Sequence, residues 1–589
     1  MYALSPSLPM RCMVALLARA ARLAVAPLLA VASRLPGTTR LSVATLLAAA
    51  APLPGTTRLS VATLLAIAAA AAVPAPTCAQ TPGYPPSFSE PMPLAEAGLG
   101  PFSRPVTTTS ADAQAFFDQG IQLLYAFAPQ DAARSFREAW KRDPSCAMCY
   151  FGEAWAWGPY LNGPMGESDA PRAHLAIRRA LELVDGNTTP VERAMIEAMA
   201  VRYEPEHDPD RRRSLDEAWS EAIAEVWARY RDDLDVGTLY GESLMLLQPR
   251  RGRWDVEKPE VQQIHRVLED VLARDLSHPG ACHLYVHATE PTVVPGKAEP
   301  CADLLGSSIP GASHINHMPS HTYTRVGRWG DAVRANIQAW HSDLKAEHGQ
   351  VFANYPSHNL HMLLFAASMD GQGGVAVQAG KDYAKLMDGG QFYHALALFR
   401  FGRFDEILAM EDAPEGPIFR GLWDFAQGYA HLRNGDMAEA RRLLADVRRS
   451  AEEHAEEAFR GHTAAELLGV VAGILEGEIL REAGDPEGAV RVLDLAVELE
   501  DALRYDEPEP LNFTARHWLG AILLEAGDAE EAETVYRLSL DDHPHNGWSL
   551  LGLEQALRAQ GRGAEADAVR ANFEQAWARA DHWIRSSRY

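Results

Sequence analysis

Residues 282–336 read CHLYVHATEPTVVPGKAEPCADLLGSSIPGASHINHMPSHTYTRVGRWGDAVRAN. His283 and His287 are four apart, as are His317 and His321, and the second pair follows the first by 34 residues. On a helix, a spacing of four places both side chains on one face. A period of 34 is that of a stacked helix–turn–helix unit. The same face of equivalent helices then points the same way from one unit to the next. Four imidazoles are therefore expected on one surface of a helical array. His358 and His361 add a third pair in the following unit.

Working outward, 589 residues exceed what one core can hold, which implies several domains or an extended array. Lys and Arg number 54 against 79 Asp and Glu, a net charge of −25. A field of that sign repels nucleic acid and anionic membrane, so neither is expected as a partner. The wealth of Ala, Leu, Glu and Arg, with no alternating β-branched runs, favours helix.

Residues 1–79 are basic and rich in Ala and Leu, and PGTTRLSVATLLA occurs twice, from Pro36 and from Pro54. The apolar run Val61–Val73 follows Arg58 and is too short to span a bilayer. It precedes Thr77-Cys78-Ala79, a small-residue cleavage site. The segment is read as a secretory signal cut near Ala79, which makes the mature protein periplasmic or secreted, without a membrane span. An uncleaved anchor is the alternative. Cys146, Cys149, Cys282 and Cys301 then remain in an oxidising compartment. Cys146 and Cys149 suit a disulfide, a soft metal pair or a redox dithiol. Cys282 and Cys301 fall on the two helices of one unit, where a bridge is plausible.

Residues 80–110, rich in Pro, Gly and Ser, read as a linker. Residues 111–160 hold AFFDQGIQLLYAFAPQDAARSFREAWKRDP, with Gly120 and Ala132 as small contact residues and Pro144 closing the unit. This is the pattern of the tetratricopeptide repeat (TPR). From 161 to 275 helical patterns persist but the period is lost, which reads as an irregular helical insertion. TPR-like units carry the histidines in 276–385, and others with a final capping helix from Ala564 to Ile584 fill 386–589. The fold class expected is all-α, a TPR-like superhelix or α-solenoid with a helical insertion.

In this repeat, positions 2, 5, 9, 12 and 13 of the first helix line the concave groove. Framed on Pro310, Gly327 and Ala332, His314, His317 and His321 take positions 2, 5 and 9, and Arg325 takes 13. His283 and His287 take 5 and 9, with Glu290 at 12; His358 and His361 take 2 and 5. His394 falls on a packing position. Neutral imidazole is the commonest metal ligand. The expected ligands are His283, His287, His317, His321, His358 and His361, with His314 as a further candidate and Glu290 as carboxylate ligand or general base. Zinc and copper both suit such a set. Six histidines would serve a dinuclear copper site handling dioxygen, or zinc activating water.

Two other readings use the same residues. A non-catalytic scaffold would bind a peptide, protein or small molecule in the groove, with Arg325 holding a carboxylate. A metal store or chaperone would hold labile metal without turnover. The chain has no nucleophile elbow, phosphate-cradling glycine loop or dinucleotide fingerprint. His283 is followed by Leu284 and His317 by Met318, so the zincin motif is absent too.

HINHMPSHTYTRVGRWGDAVRAN resembles a bacterial TPR protein family that carries an H-M-P-S-H block. DPSCAMCYFGEAWAWGP, TPVERAMIEAMAVRY, HLYVHATE and YPSHNLHMLLFAASMDG resemble its other blocks in the same order. The resemblance spans Ala111 to Tyr383. It implies the helical-repeat fold and assigns no reaction. Cys149 departs from the small or apolar residue expected there.

Overall fold

The computed structural model describes residues 83–349 and 351–589, so the targeting segment lies outside the described residues. The described chain is helical nearly throughout. Its one strand pair is a short antiparallel hairpin, Ala458–Phe459 against His462–Thr463. Among the described residues no helix is long and apolar enough to cross a membrane.

The first unit shows how the array is built. Ser110 caps helix Ala111–Tyr125 by accepting from the Ala113 N–H. Helix Pro129–Arg142 starts on a proline, whose missing N–H is harmless there. The Phe136 ring packs against both Gly120 and Gly152. A Cβ on either glycine would come within 2.6 Å and 2.4 Å of that ring. Three successive helices therefore interlock on one aromatic side chain. At the turns before helices Trp329–Ala346 and Gly373–Leu386, Gly327 and Gly371 hold φ of 78° and 75°, which an L side chain adopts only with strain.

Through 161–275 the pairing continues without the period. Helices Pro209–Arg229, Leu234–Leu246 and Pro259–Leu272 pack in succession and deliver the chain to Pro279–Thr289, the first histidine helix. The Pro-rich segment ahead of Ala111 is extended, as its composition implies, but it is not a free tether. The Gln119 and Gln122 side chains accept from the backbone N–H groups of Ala95 and Gly100 at 2.8 and 2.7 Å. Arg104 is buried and paired with Asp233 and Asp235, each at 2.7 Å. Satisfying the segment's backbone and burying its arginine hold it against the repeats.

Both cysteine pairs are disulfide-bonded, with Cα separations of 5.4 Å for Cys146–Cys149 and 5.0 Å for Cys282–Cys301. The second bridge joins helix Pro279–Thr289 to helix Glu299–Leu305. The final helix runs Gly563–Ala576, shorter than the sequence pattern suggests. The chain beyond it turns back, where Arg579 pairs with Asp370 at 2.6 Å and the Trp577 ring crowds Gly547.

Two large hydrophobic cores result, one running from Met92 to Met318 and one from Ala302 to Ala566, with a small third cluster of Leu550, Leu551 and Phe573. The coil returns on itself where Trp329 donates to the Pro544 carbonyl at 2.8 Å. The histidine helices lie where the two cores meet.

A candidate metal centre

Six histidines form two groups of three. In each group the ligating atoms lie within 4.8 Å of one another: His283, His287 and His314 in one, His317, His321 and His358 in the other. The groups adjoin, with the His287 and His321 rings 5.7 Å apart and those of His314 and His317 5.3 Å apart.

The tautomers follow from the partners. His283 Nδ1 donates to the Tyr125 carbonyl at 2.6 Å. His321 Nδ1 donates to Glu290 Oε1 at 2.8 Å, with Glu507 Oε2 at 3.2 Å. His317 Nδ1 faces Asn336 Oδ1 at 3.3 Å. Such acceptors hold a proton on Nδ1 and leave Nε2 to offer its lone pair to a metal, the usual arrangement behind a metal-bound imidazole; His321, charged in the metal-free protein, would first release its Nε2 proton. The Nε2 atoms then face one another, His283 to His314 at 3.1 Å and His317 to His321 at 3.0 Å. A metal bound at about 2.0–2.1 Å from each nitrogen brings two ligands about this close. His287 Nε2 and His314 Nδ1 are buried without a hydrogen-bond partner, which burial makes costly unless something fills the role.

Electrostatics keep most of these rings neutral. Burial lowers His287 to about 4 and His358 to about 3, with the charge of His321 adding to both shifts. Burial also holds His283, His314 and His317 well below the ordinary value. His321 goes the other way. Burial opposes its charge, but Glu290 and Glu507 raise it to about 10. Burial and the neighbouring Glu507 push Glu290 up to about 8. Burial works against the Glu507 charge too, yet hydrogen bonds from Glu290 and His321 hold it well below the carboxylate range. In the metal-free protein one proton thus rests on the Glu290–Glu507 pair and a second on His321.

His314, the further candidate, belongs to the first trio. His361 joins neither: its ring packs on Tyr393 at 4.4 Å, one helical turn past His358. His358 lies against His317 at 4.7 Å instead. Arg325 is half-buried, with its guanidinium 5.4 Å from the Tyr505 ring, and it lines a small pocket with Glu290 and Glu507. Glu290 sits where its groove position put it, against His321.

Several neighbours carry no local sequence mark. Glu507 arrives on the loop 504–510 between two C-terminal helices. Arg460 anchors that loop, donating to Asp506 at 2.6 Å and to the Glu507 carbonyl at 2.8 Å. The run DEPEP at 506–510, acidic and helix-breaking, is the only hint of it. Phe127 places its ring 4.2 Å from His283 and 5.6 Å from His287. Phe127, Tyr355 and Arg460 hold φ of 54°, 59° and 55°, and all three border the site. Strain of that kind gathers at functional sites.

No protein-family model matches the chain, and no curated protein matches it. Among solved structures, the crystal structure of the APC/C hetero-tetramer Cut9–Hcn1 is similar at 12% identity, over 82% of this chain and 79% of that one, with a TM-score of 0.28. The P58(IPK) TPR domain is similar at 12% identity over 77% and 99%, with a TM-score of 0.19. The human IFIT1 dimer with m7Gppp-AAAA is similar at 9% identity over 80% and 91%, with a TM-score of 0.28. Such scores do not bear on the histidines. The helix pairs themselves make this chain an all-α, TPR-like superhelix, with clustered histidines at its centre.

Proposed function

We propose that this is an exported TPR-like protein that holds two metal ions and uses them as an enzyme on a small molecule. One ion would take His283, His287 and His314, the other His317, His321 and His358. The observation that carries the reading is the facing of Nε2 atoms at 3.0 and 3.1 Å, with Nδ1 of His283, His317 and His321 each set against an acceptor. Buried imidazoles held neutral are the ligating form.

Copper suits the set better than zinc. All six ligands are imidazoles, neutral once His321 gives up its extra proton to a metal, and buried charge is costly. Two zinc ions would bury twice the charge of a cuprous pair, with the Glu290–Glu507 pair the nearest carboxylates to offset it. The reaction class is then oxidation of a small molecule by dioxygen. Zinc would instead supply activated water for hydrolysis. A small molecule suits the groove better than a peptide, because the 504–510 loop brings Glu507 onto His321 and narrows the groove a peptide would occupy.

The signal-like segment and the two disulfides support export, since such bridges persist in oxidising compartments. The resemblance to the bacterial family rests on the H-M-P-S-H block, which contributes His317 and His321.

Elemental analysis of the tag-free mature protein tests the reading. Two copper ions per chain are expected. His317→Ala/His321→Ala should lose one of them while circular dichroism shows the parent's helix content. His361→Ala should keep both. A parent that takes up neither copper nor zinc after reconstitution overturns the proposal. Oxygen consumption against ester or amide hydrolysis then separates the two reaction classes.

A further inference from the structure

A cavity of about 220 Å³ opens beside the histidines, lined mainly by three loops of the chain. The loop after helix Ala147–Ala156 brings Tyr160. The loop after helix Leu234–Leu246 brings Arg250 and Trp254. The 504–510 loop brings Tyr505 and Glu507. His287 lines it as well, so an occupant lies against the candidate metal donors. The Tyr160 hydroxyl is hydrogen-bonded to that of Tyr355 at 2.7 Å, and the Tyr355 ring packs on His314 at 5.2 Å. One wall is thus tied directly to the first trio.

The charges in the lining are nearly all spoken for. Asp216 is paired with Arg212 at 2.8 Å, Asp506 with Arg460 at 2.6 Å, and Glu507 with His321 at 3.2 Å. Arg251 lies 3.8 Å from Asp506 and donates to the Arg460 carbonyl. Arg250 differs: among the described residues it makes no hydrogen bond or ion pair, and it is exposed, which puts it at the mouth. Apart from Asn162 and His287, the remaining lining is aromatic or apolar. A ligand that satisfies such a surface has a flat apolar body and a single negative charge. The volume is below the roughly 300–1,000 Å³ of drug-sized sites, so the body is about one ring. One guanidinium offers its planar fork to one carboxylate.

We propose that this cavity is the substrate chamber of the centre and that it takes a small aromatic carboxylate, the ring against the aromatic wall and the carboxylate on Arg250. The proposal rests on the metal reading for the fate of the ligand but not for its binding.

Calorimetric titration with benzoate and with its neutral isostere benzamide tests it, on the full mature protein with and without copper. Benzoate should bind about tenfold more tightly than benzamide, the usual scale of one charge-assisted pair. Arg250→Gln should remove that advantage and leave benzamide unchanged. Trp254→Leu should weaken both. The proposal fails if the two probes bind alike in the parent, if neither binds up to about 10 mM, or if the benzoate advantage survives Arg250→Gln. Benzoate bound through Arg250 by a protein that holds no metal would uphold the chamber and overturn the metal centre instead.

Discussion

At His321 burial and charge pull in opposite directions, and charge wins. The ring is buried as deeply as its neighbours, which should keep it neutral, yet Glu290 and Glu507 raise it to about 10. The same carboxylate that holds a proton on this ring in the metal-free protein would orient it behind a metal. Loss of such a supporting partner commonly costs 10–100-fold in metal affinity. Glu290→Ala is therefore expected to weaken binding at the second trio by about that factor, because the Nδ1–H of His321 loses its nearest acceptor. Competition with a chelator of known affinity reads this directly. Unchanged affinity would mean that Glu290 does not support His321.

Among the helices, small residues decide how closely neighbours approach. Gly120 and Gly152 both crowd the same edge of the Phe136 ring, which leaves the ring little room to yield to a methyl group on either. Alanine favours helix by about 1 kcal/mol over glycine. Overpacking of a filled core costs about 1–3 kcal/mol. Packing should win, leaving Gly120→Ala less stable by about 1 kcal/mol in urea denaturation. Gly563→Ala is the control, since a Cβ there meets nothing within 4 Å. Equal midpoints for the two variants would show that the interlock is looser than the geometry implies.

Across the whole molecule, residues distant in sequence tie the array together, and Arg104 is the clearest case. Removing it leaves Asp233 and Asp235 facing each other without their cation. Breaking a buried pair from one side costs about 3–5 kcal/mol, and Arg104→Ala is expected to lose about that much at pH 7. The pH dependence has a definite sign. Burial opposes the Asp235 charge, but Arg104 and His278 hold its carboxyl well below the ordinary value. A depressed carboxyl stabilises the fold above the unfolded value of about 3.9 and loses that contribution as pH falls toward the folded one. The gap between parent and variant should accordingly shrink as pH drops below about 4. A gap that stays constant from pH 7 to pH 3 would assign the loss to packing.

What the sequence determined by itself was local and periodic. Helix–turn–helix units, small contact residues and turn glycines obey spacings within one or two turns of the chain. So do the H-x-x-x-H pairs, because four residues on a helix always share a face. Their 34-residue offset was enough to align His283 with His317 and to put Glu290 beside His321. Only the tertiary structure chose among the remaining histidines. His358 and His361 are three apart and both read as groove-facing, yet one meets His317 and the other Tyr393, because the next helix covers the second ring. Glu507 and Arg250 were out of reach of any spacing argument. They arrive on loops more than 250 residues apart in the sequence, and loops carry no period. Glu507 meets His287 because the superhelix coils back until its C-terminal half rests on the histidine helices. That closure comes from the summed angles of many helix contacts, which no single stretch of sequence encodes.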